Sequence, residues 1–439
     1  MTTHLRLQPS SRPITCRELD RGGAPALGII RLMTEQGTDP VGDAPTERLD
    51  PGQGTAENEP EFKATPLELF FDLVFVFAFT QVTALMSDNP TWEGLGQGLL
   101  VLAAVWWAWG GYAWLTNALH RDDWLARFGL LGAMAAMLIA ALAVPQAFGD
   151  DAVVFALAYF VVRLLQVAVY AYGADDADVR NAIVNLAPGL LGAPALLIVG
   201  ALLGGGAQAG LWIVALVIDY GIPYVRDVSG FRVSASHFAE RFGLIVIIAL
   251  GESIVAIGAG LGDDPLTAGV IVAALAGITL AAAQWWLYFD VVAIVAERKL
   301  AEATGLAQNR LARDSWGVLH GLLIAGIILT ALGVKKTIGH VDDPLETIPA
   351  VALCGGVALY LFGHVAIRLR SVGSLNRQRV FAGALALALI PFATAVDGLA
   401  SLISVSLLMV ALAAYEAMRF RERRAELRSN PAATMGAPG

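Results

Sequence analysis

The stretch LTAGVIVAALAGITLAAAQWWL, residues 266–287, carries no charged side chain over the roughly 20 residues that a helix needs to cross the hydrocarbon core of a membrane. A second stretch, IVNLAPGLLGAPALLIVGALL at 183–203, has the same property. Leu99–Trp109 and Leu130–Val144 form the apolar cores of two similar segments. These repeated segments predict an all-α, polytopic integral membrane protein.

The composition of the whole chain agrees with this prediction. Of its 439 residues, 56% are hydrophobic and 15% are charged, whereas about a quarter of the residues in a soluble domain are charged. The mean hydropathy is +0.63. We therefore expect a lipid bilayer around most of the chain and exclude an ordinary soluble enzyme.

The sequence also lacks the common motifs of catalysis and cofactor binding. It contains no P-loop, no GxGxxG after a strand, no HExxH and no GxSxG. The two cysteines, Cys16 and Cys354, have no metal-ligand spacing, and no basic stripe suits nucleic acid. We expect no cofactor, no metal, no nucleic-acid partner and no ATP-driven transport by this chain alone.

Cutting the apolar runs at their Gly, Pro and Asp residues predicts about twelve transmembrane helices. They lie near residues 66–86, 94–117, 124–146, 151–173, 181–203, 208–225, 238–260, 266–296, 315–337, 347–370, 378–396 and 398–419. Residues 1–62 are predicted to be a disordered tail, 63–232 and 233–420 two six-helix units, and 421–439 a basic, disordered tail.

The positive charges predict the orientation, because Lys and Arg are retained on the cytoplasmic side. Alternate connections and the C-terminal tail contain arginines, while the others, such as SDNPTWE and LGDDP, contain no Lys or Arg. Lys335 and Lys336 are the exception. This alternation predicts a multi-pass protein of the plasma membrane with both termini in the cytoplasm.

The two six-helix units are predicted to be repeats. ELFFDLVFVFAFTQVTAL from Glu68 aligns with ERFGLIVIIALGESIVAI from Glu240, and four further pairs follow in the same order: Trp106 with Trp285, Trp124 with Trp316, Tyr159 with Tyr360, and Pro194 with Pro391. Because six is even, the two units would share one orientation, which is a parallel repeat known from some transporters. The alternative is coincidence among Leu-rich helices.

Ionisable residues inside the predicted spans are the candidate functional residues, since each costs about 2.5–3.5 kcal/mol on insertion scales. Glu68 and Asp72 lie four residues apart on one face of the first helix and suggest a proton or cation site. On the seventh helix His237, Arg241 and Glu252 share a face. The alternative for Arg241 is a structural salt bridge to Asp72, Asp219 or Asp290.

Glu252 is the first choice among these residues, because no other predicted span has so central a carboxylate. Ser253 follows it, and the self-alignment pairs Ser253 with Gln81 and Glu252 with Thr80. The inward faces of the two units are therefore polar at matching depth, which favours a site between them. Asp290 is a weaker candidate, and a buried acid bonded to a neighbouring helix is the alternative for Glu252.

The segments TPLELFFDLVFVFAF and HFAERFGLIVIIALGESI resemble the signature stretches of the bacterial low temperature requirement protein A family. The resemblance covers residues 62–420 and implies a multi-spanning membrane protein without implying a substrate. The matching positions include Glu68, Asp72, Glu240, Arg241 and Glu252.

Three classes of function remain open at this stage. The leading hypothesis is a channel or secondary carrier for a monovalent cation, a proton or a small solute, with the first and seventh helices beside the path. The second is a membrane sensor or scaffold for cold or envelope stress. The third is a membrane-embedded lipid-modifying enzyme with Glu252 and His237 as acid and base; we expect no enzyme.

Overall fold

The computed structural model describes residues 64–118, 124–173, 177–226, 231, 233–263 and 265–421. The predicted tail 1–62 lies outside the described residues, as does all of 421–439 except Arg421. The described part is helical and contains no β-strand. Its helices are α1 (Pro66–Asp88), α2 (Trp92–Ala118), α3 (Trp124–Ala143), α4 (Ala152–Gly173), α5 (Ala177–Leu203), α6 (Gly205–Val225), α7 (Ala235–Leu261), α8 (Ala268–Leu287), α9 (Ala293–Glu302), α10 (Gly305–Leu311), α11 (His320–Gly339), α12 (Thr347–Ala350), α13 (Gly356–Val372), α14 (Arg377–Ala388), α15 (Ile390–Ala393) and α16 (Gly398–Arg419).

Eleven helical segments of the described chain are long and apolar enough to cross a membrane. The remaining predicted span, 378–396, forms the 12-residue helix α14 and the short helix α15. Pro391 explains the break, because proline has no backbone N–H and its ring clashes with the carbonyl four residues earlier. The prediction of a polytopic all-α membrane protein is confirmed, with one span interrupted.

The connection predicted at 297–314 is wrong, because most of it is helical. A π-helical turn, Tyr288–Val292, joins α8 to α9, and a second, Ala312–Leu319, joins α10 to α11. Two continuous helical segments result, Ala268–Glu302 and Gly305–Gly339. The sequence ERKLAE at 297–302 contains strong helix formers, so the helix continues beyond its apolar stretch.

The helices bury polar side chains and expose apolar ones. On α1 the relative exposure of Phe70 is 53% and that of Leu73 is 57%, whereas the exposure of Asp72 between them is 0%. A water-soluble helix shows the opposite pattern. This arrangement is expected when lipid surrounds the bundle, since ionisable residues within spans usually face the bundle interior.

Helices α1 and α7 run side by side in the same direction. Their contacts join Glu68 to His237, Asp72 to Arg241 and Thr80 to Glu252, at sequence separations of 169, 169 and 172 residues. A nearly constant separation means that the contacts advance together along both helices. The two helices are therefore parallel, as the five membrane crossings between them, α2 to α6, require.

Helix packing in the two halves follows a similar order. The neighbours α1–α3, α3–α4, α4–α5 and α5–α6 have the counterparts α7–α11, α11–α13, α13–α14 and α14–α16. Each half also contains a buried ion pair, Arg163 with Asp219 at 2.7 Å and Arg379 with Glu416 at 2.6 Å. Asp219 follows Pro194 by the same number of residues as Glu416 follows Pro391, and the self-alignment pairs these two prolines. These features agree with a duplicated unit, and the duplication stays a prediction.

Close packing of α11 depends on glycine. A Cβ atom on Gly333 would lie 2.5 Å from Leu353 Cα. We expect Gly333→Ala to lower the free energy of unfolding by about 1–3 kcal/mol, because the neighbouring backbone must move. Denaturation in detergent micelles measures this effect. Gly258→Ala on α7 is the matched control, since nothing lies within 4 Å of its added Cβ; an equal loss in both variants would contradict the prediction.

Candidate functional site

Four ionisable residues meet where α1 and α7 begin, and we call them the charge cluster: Glu68 and Asp72 on α1, and His237 and Arg241 on α7. The cap residue Thr65 fixes the start of α1. Its backbone N–H donates to Glu68 Oε2 at 2.7 Å, and its hydroxyl accepts from Glu68 N at 3.3 Å. This capping box positions the Glu68 side chain at the helix start, beside α7.

Arg241 is the central cation of the charge cluster. Its Nη2 lies 2.7 Å from Asp72 Oδ1 and its Nη1 lies 3.0 Å from Glu68 Oε1. Trp109 on α2 donates a further hydrogen bond from Nε1 to Asp72 Oδ1 at 2.9 Å. Arg241 and Asp72 are fully buried. Such charges remain stable in the interior only when they are paired and hydrogen-bonded.

The charge cluster holds two carboxyl groups around one guanidinium. His237 Nε2 lies 3.1 Å from Glu68 Oε1. Asp72 Oδ2 is buried and has no hydrogen-bond partner among the described residues. One carboxyl oxygen of the cluster can therefore accept a further hydrogen bond.

An apolar layer lies beyond the charge cluster along both helices. Phe75 and Phe79 of α1 and Ile245, Val246 and Ala249 of α7 are all fully buried. On α7 these residues fall between Arg241 and Glu252, and on α1 they fall between Asp72 and Thr80, which contacts Glu252. A buried layer without polar groups offers no hydrogen bond to water, so it separates the two polar sites.

Glu252 is the second polar site of the α1–α7 interface. It lies eleven residues after Arg241, which is about 16 Å along the helix axis, and its exposure is 2%. Its Oε2 lies 2.6 Å from Thr80 Oγ1. Among the described residues, no nitrogen of Lys, Arg or His lies within 4.0 Å of its carboxyl group. The adjacent Ser253 is also buried, and its Oγ has no partner in the same part of the chain.

Three further residues were predicted as site candidates: Gln81, Glu240 and Asp290. Gln81 is half-buried on α1. Glu240 is exposed and accepts a hydrogen bond from Ala64 N at 2.9 Å. Asp290 is half-buried in the π-helical turn after α8. His237 and Glu252, considered as an acid–base pair, are fifteen residues apart on α7, or about 22 Å, so they do not meet in one site.

Only the structure identifies which of the candidate acids pairs with Arg241. Of the three acids named from the sequence, Asp72 binds Arg241, whereas Asp219 pairs with Arg163. Trp109, the donor to Asp72, was missed, because tryptophans in a Leu-rich helix are most often packing residues. The surrounding WWAW sequence gives no indication that Trp109 donates a hydrogen bond to an acid.

The pair Arg379–Glu416 was also missed. Arg379 lies among the arginines of a predicted cytoplasmic connection, yet its exposure is 3%. Its Nε and Nη2 donate to both oxygens of Glu416, and its Nη1 lies 2.7 Å from His364 Nδ1. The pair links α14 to α16 and lies outside the α1–α7 interface.

Comparisons with known proteins agree with the resemblance in the signature stretches. A family model described as bacterial low temperature requirement A protein matches residues 63–414. An uncharacterized protein of Rhizobium meliloti is 31% identical over 383 residues, which cover 84% of this chain and 93% of that protein. The family match includes α1 and α7.

Proposed function

Because the chain belongs to the bacterial low temperature requirement A family and is a multi-pass helical membrane protein, we propose that it is a channel or secondary carrier for an ion or small solute, with its path along the α1–α7 interface. The observation that carries this proposal is Glu252, a buried carboxyl group inside a transmembrane helix, nine residues before the last residue of α7. Its Oε2 lies 2.6 Å from Thr80 Oγ1.

The energetic cost of Glu252 supports a functional role. A carboxyl group within a span destabilises insertion by about 2.5–3.5 kcal/mol, and here no basic side chain within 4.0 Å offsets this cost in the described part of the chain. The other buried acids of the described residues, Glu68, Asp72 and Asp219, are each paired with an arginine. A scaffold has no need for an unpaired central acid, whereas a transport path does.

The charge cluster would act as the closed gate at one end of the path. Its ion pairs from Arg241 cross from α7 to Asp72 and Glu68 on α1. Separation of the two helices at this end must break these contacts. Together with the apolar layer, the cluster would close this end while Glu252 binds the transported ion or the ion coupled to a solute.

Flux in proteoliposomes tests the proposal. Purified protein is reconstituted, and proton and monovalent-cation movement is followed with internal dyes under an imposed potential. A channel would pass current passively, whereas a carrier would show saturable, coupled flux. Silence of folded wild-type protein toward ions and a panel of small solutes would contradict transport and leave the sensor or the enzyme hypothesis.

We also propose that the charge cluster lies at the cytoplasmic end of the path, because the arginine-rich connections and the C-terminal tail lie at that side under the positive-inside rule. A reporter that works only in the cytoplasm should be active when it is fused after Arg424. A reporter that works only in the periplasm should be inactive at the same position. A periplasmic signal there would reverse the orientation of every span.

A further inference from the structure

The hydroxyl group of Thr80 contacts two acceptor groups although it carries one hydrogen. Thr80 Oγ1 lies 3.2 Å from the backbone oxygen of Val76 and 2.6 Å from Oε2 of Glu252. A threonine hydroxyl donates one hydrogen bond and accepts two. If Thr80 donates to Val76, then Glu252 must supply the hydrogen in the shorter contact. A proton on the carboxyl group of Glu252 lets both contacts form as full hydrogen bonds, with Thr80 donating to Val76 and accepting from Glu252.

Thr83 offers the carboxyl group no better alternative. It is the other hydroxyl group that interacts with Glu252, and its Oγ1 donates to the backbone oxygen of Phe79 at 3.1 Å. Its single hydrogen is therefore also used within α1. When both threonines donate within α1, the oxygen that each presents to Glu252 is an acceptor, which suits a protonated carboxyl group.

Among the described residues, no basic side chain lies within salt-bridge distance of Glu252. Among helices packed against α7, α8 contains no ionisable residue. The cation whose charge acts on Glu252 is Lys335 of α11, which is half-buried and is not within salt-bridge distance. The other ionisable Asp, Glu, Lys, Arg and His residues on the packed helices are Glu68, Asp72 and Asp88 on α1, Glu93 on α2, Glu297, Arg298, Lys299 and Glu302 on α9, and His320 and Lys336 on α11.

The ion pairs of the charge cluster cannot balance a carboxylate at Glu252. The nearest member on the same helix, Arg241, is about 16 Å away along the axis and is already paired with Asp72 and Glu68. The apolar layer between them excludes water. An isolated buried carboxylate is costly enough that such a group takes up a proton instead.

From this geometry we infer that Glu252 is a proton-binding site, and that its proton is the ion which the α1–α7 path binds and releases. This inference rests on the proposed transport function. In the described state the proton stays on Oε2 and is donated to Thr80. Release transfers it to water when the helices separate, and the resulting carboxylate is then stabilised by that water.

Infrared spectroscopy of the reconstituted full-length protein tests the inference without any transport assay. A protonated carboxyl group gives a C=O stretching band that is separate from carboxylate and amide bands. Wild-type protein at neutral pH should show such a band, with a downward shift in D₂O, and Glu252→Gln should lack it. Glu93→Gln, at an exposed acid on α2, is the matched control and should keep the band.

Thr80→Val supplies a second test that keeps the carboxyl group. The variant removes the acceptor of the proposed hydrogen bond, so the C=O band should remain and move in frequency. An unchanged spectrum in both Glu252→Gln and Thr80→Val would overturn the inference. If Glu252→Gln lacks the band and the wild-type protein shows no flux, the proton site is upheld and the transport function is overturned.

Discussion

Replacement of Arg241 by methionine is expected to lower the free energy of unfolding by about 3–5 kcal/mol, the cost of removing one partner from a buried ion pair. The change leaves Asp72 and Glu68 buried without a cation. Methionine keeps the packing of the aliphatic part of the arginine side chain. Unfolding by denaturant in detergent micelles, followed by circular dichroism, measures the difference from wild-type protein.

Lys299→Met is the matched control for this variant. Lys299 forms an ion pair with Glu302 on α9 at 2.6 Å, but the side chains are 39% and 42% exposed, and exposed pairs contribute less than about 1 kcal/mol. Addition of Asp72→Asn and Glu68→Gln to Arg241→Met should recover part of the lost stability. Equal effects of Arg241→Met and Lys299→Met would contradict the role given to the charge cluster.

The spans could be predicted from the sequence because the bilayer imposes a length and a polarity on each one. The run at 266–287 needs no tertiary information, since an apolar stretch of that length is stable only in lipid. The interruption before Pro391 was not predicted. Neither were the π-helical turns, which depend on how each helix packs against its neighbours.

The sequence predicted that Glu252 and Thr80 lie at the same depth in the membrane, but it did not predict their contact. The self-alignment placed the two residues at equivalent positions of the first and seventh helices, and these are bonded in the structure. Helical spacing likewise placed His237 and Arg241 on the inward face of α7. These predictions needed only the periodicity of a helix and the order of two similar segments.

The choice among partners could not be predicted, because it depends on which helices touch. Asp72, Asp219 and Asp290 were equivalent candidates for Arg241 until α7 was seen to pack against α1. Arg379 looked like a cytoplasmic charge near the start of α14, yet it reaches Glu416 on α16. A single sequence gives the depth of a residue along its helix but not the neighbour that faces it.

Loss of flux in Glu252→Gln is the second large effect that we expect. Glutamine keeps the size and a polar oxygen of the side chain but cannot exchange a proton. The flux carried by the protein should fall at least tenfold, since the loss of an interaction of about 1.4 kcal/mol already changes a rate by that factor. Folding should be retained, because the amide adds no buried charge.

The most direct test is therefore ion and proton flux in proteoliposomes, measured for wild-type protein, Glu252→Gln and the exposed control Glu93→Gln at equal reconstituted amounts. We expect flux for wild-type protein and Glu93→Gln and a level close to that of protein-free liposomes for Glu252→Gln. Equal flux in all three proteins would contradict a path through the α1–α7 interface.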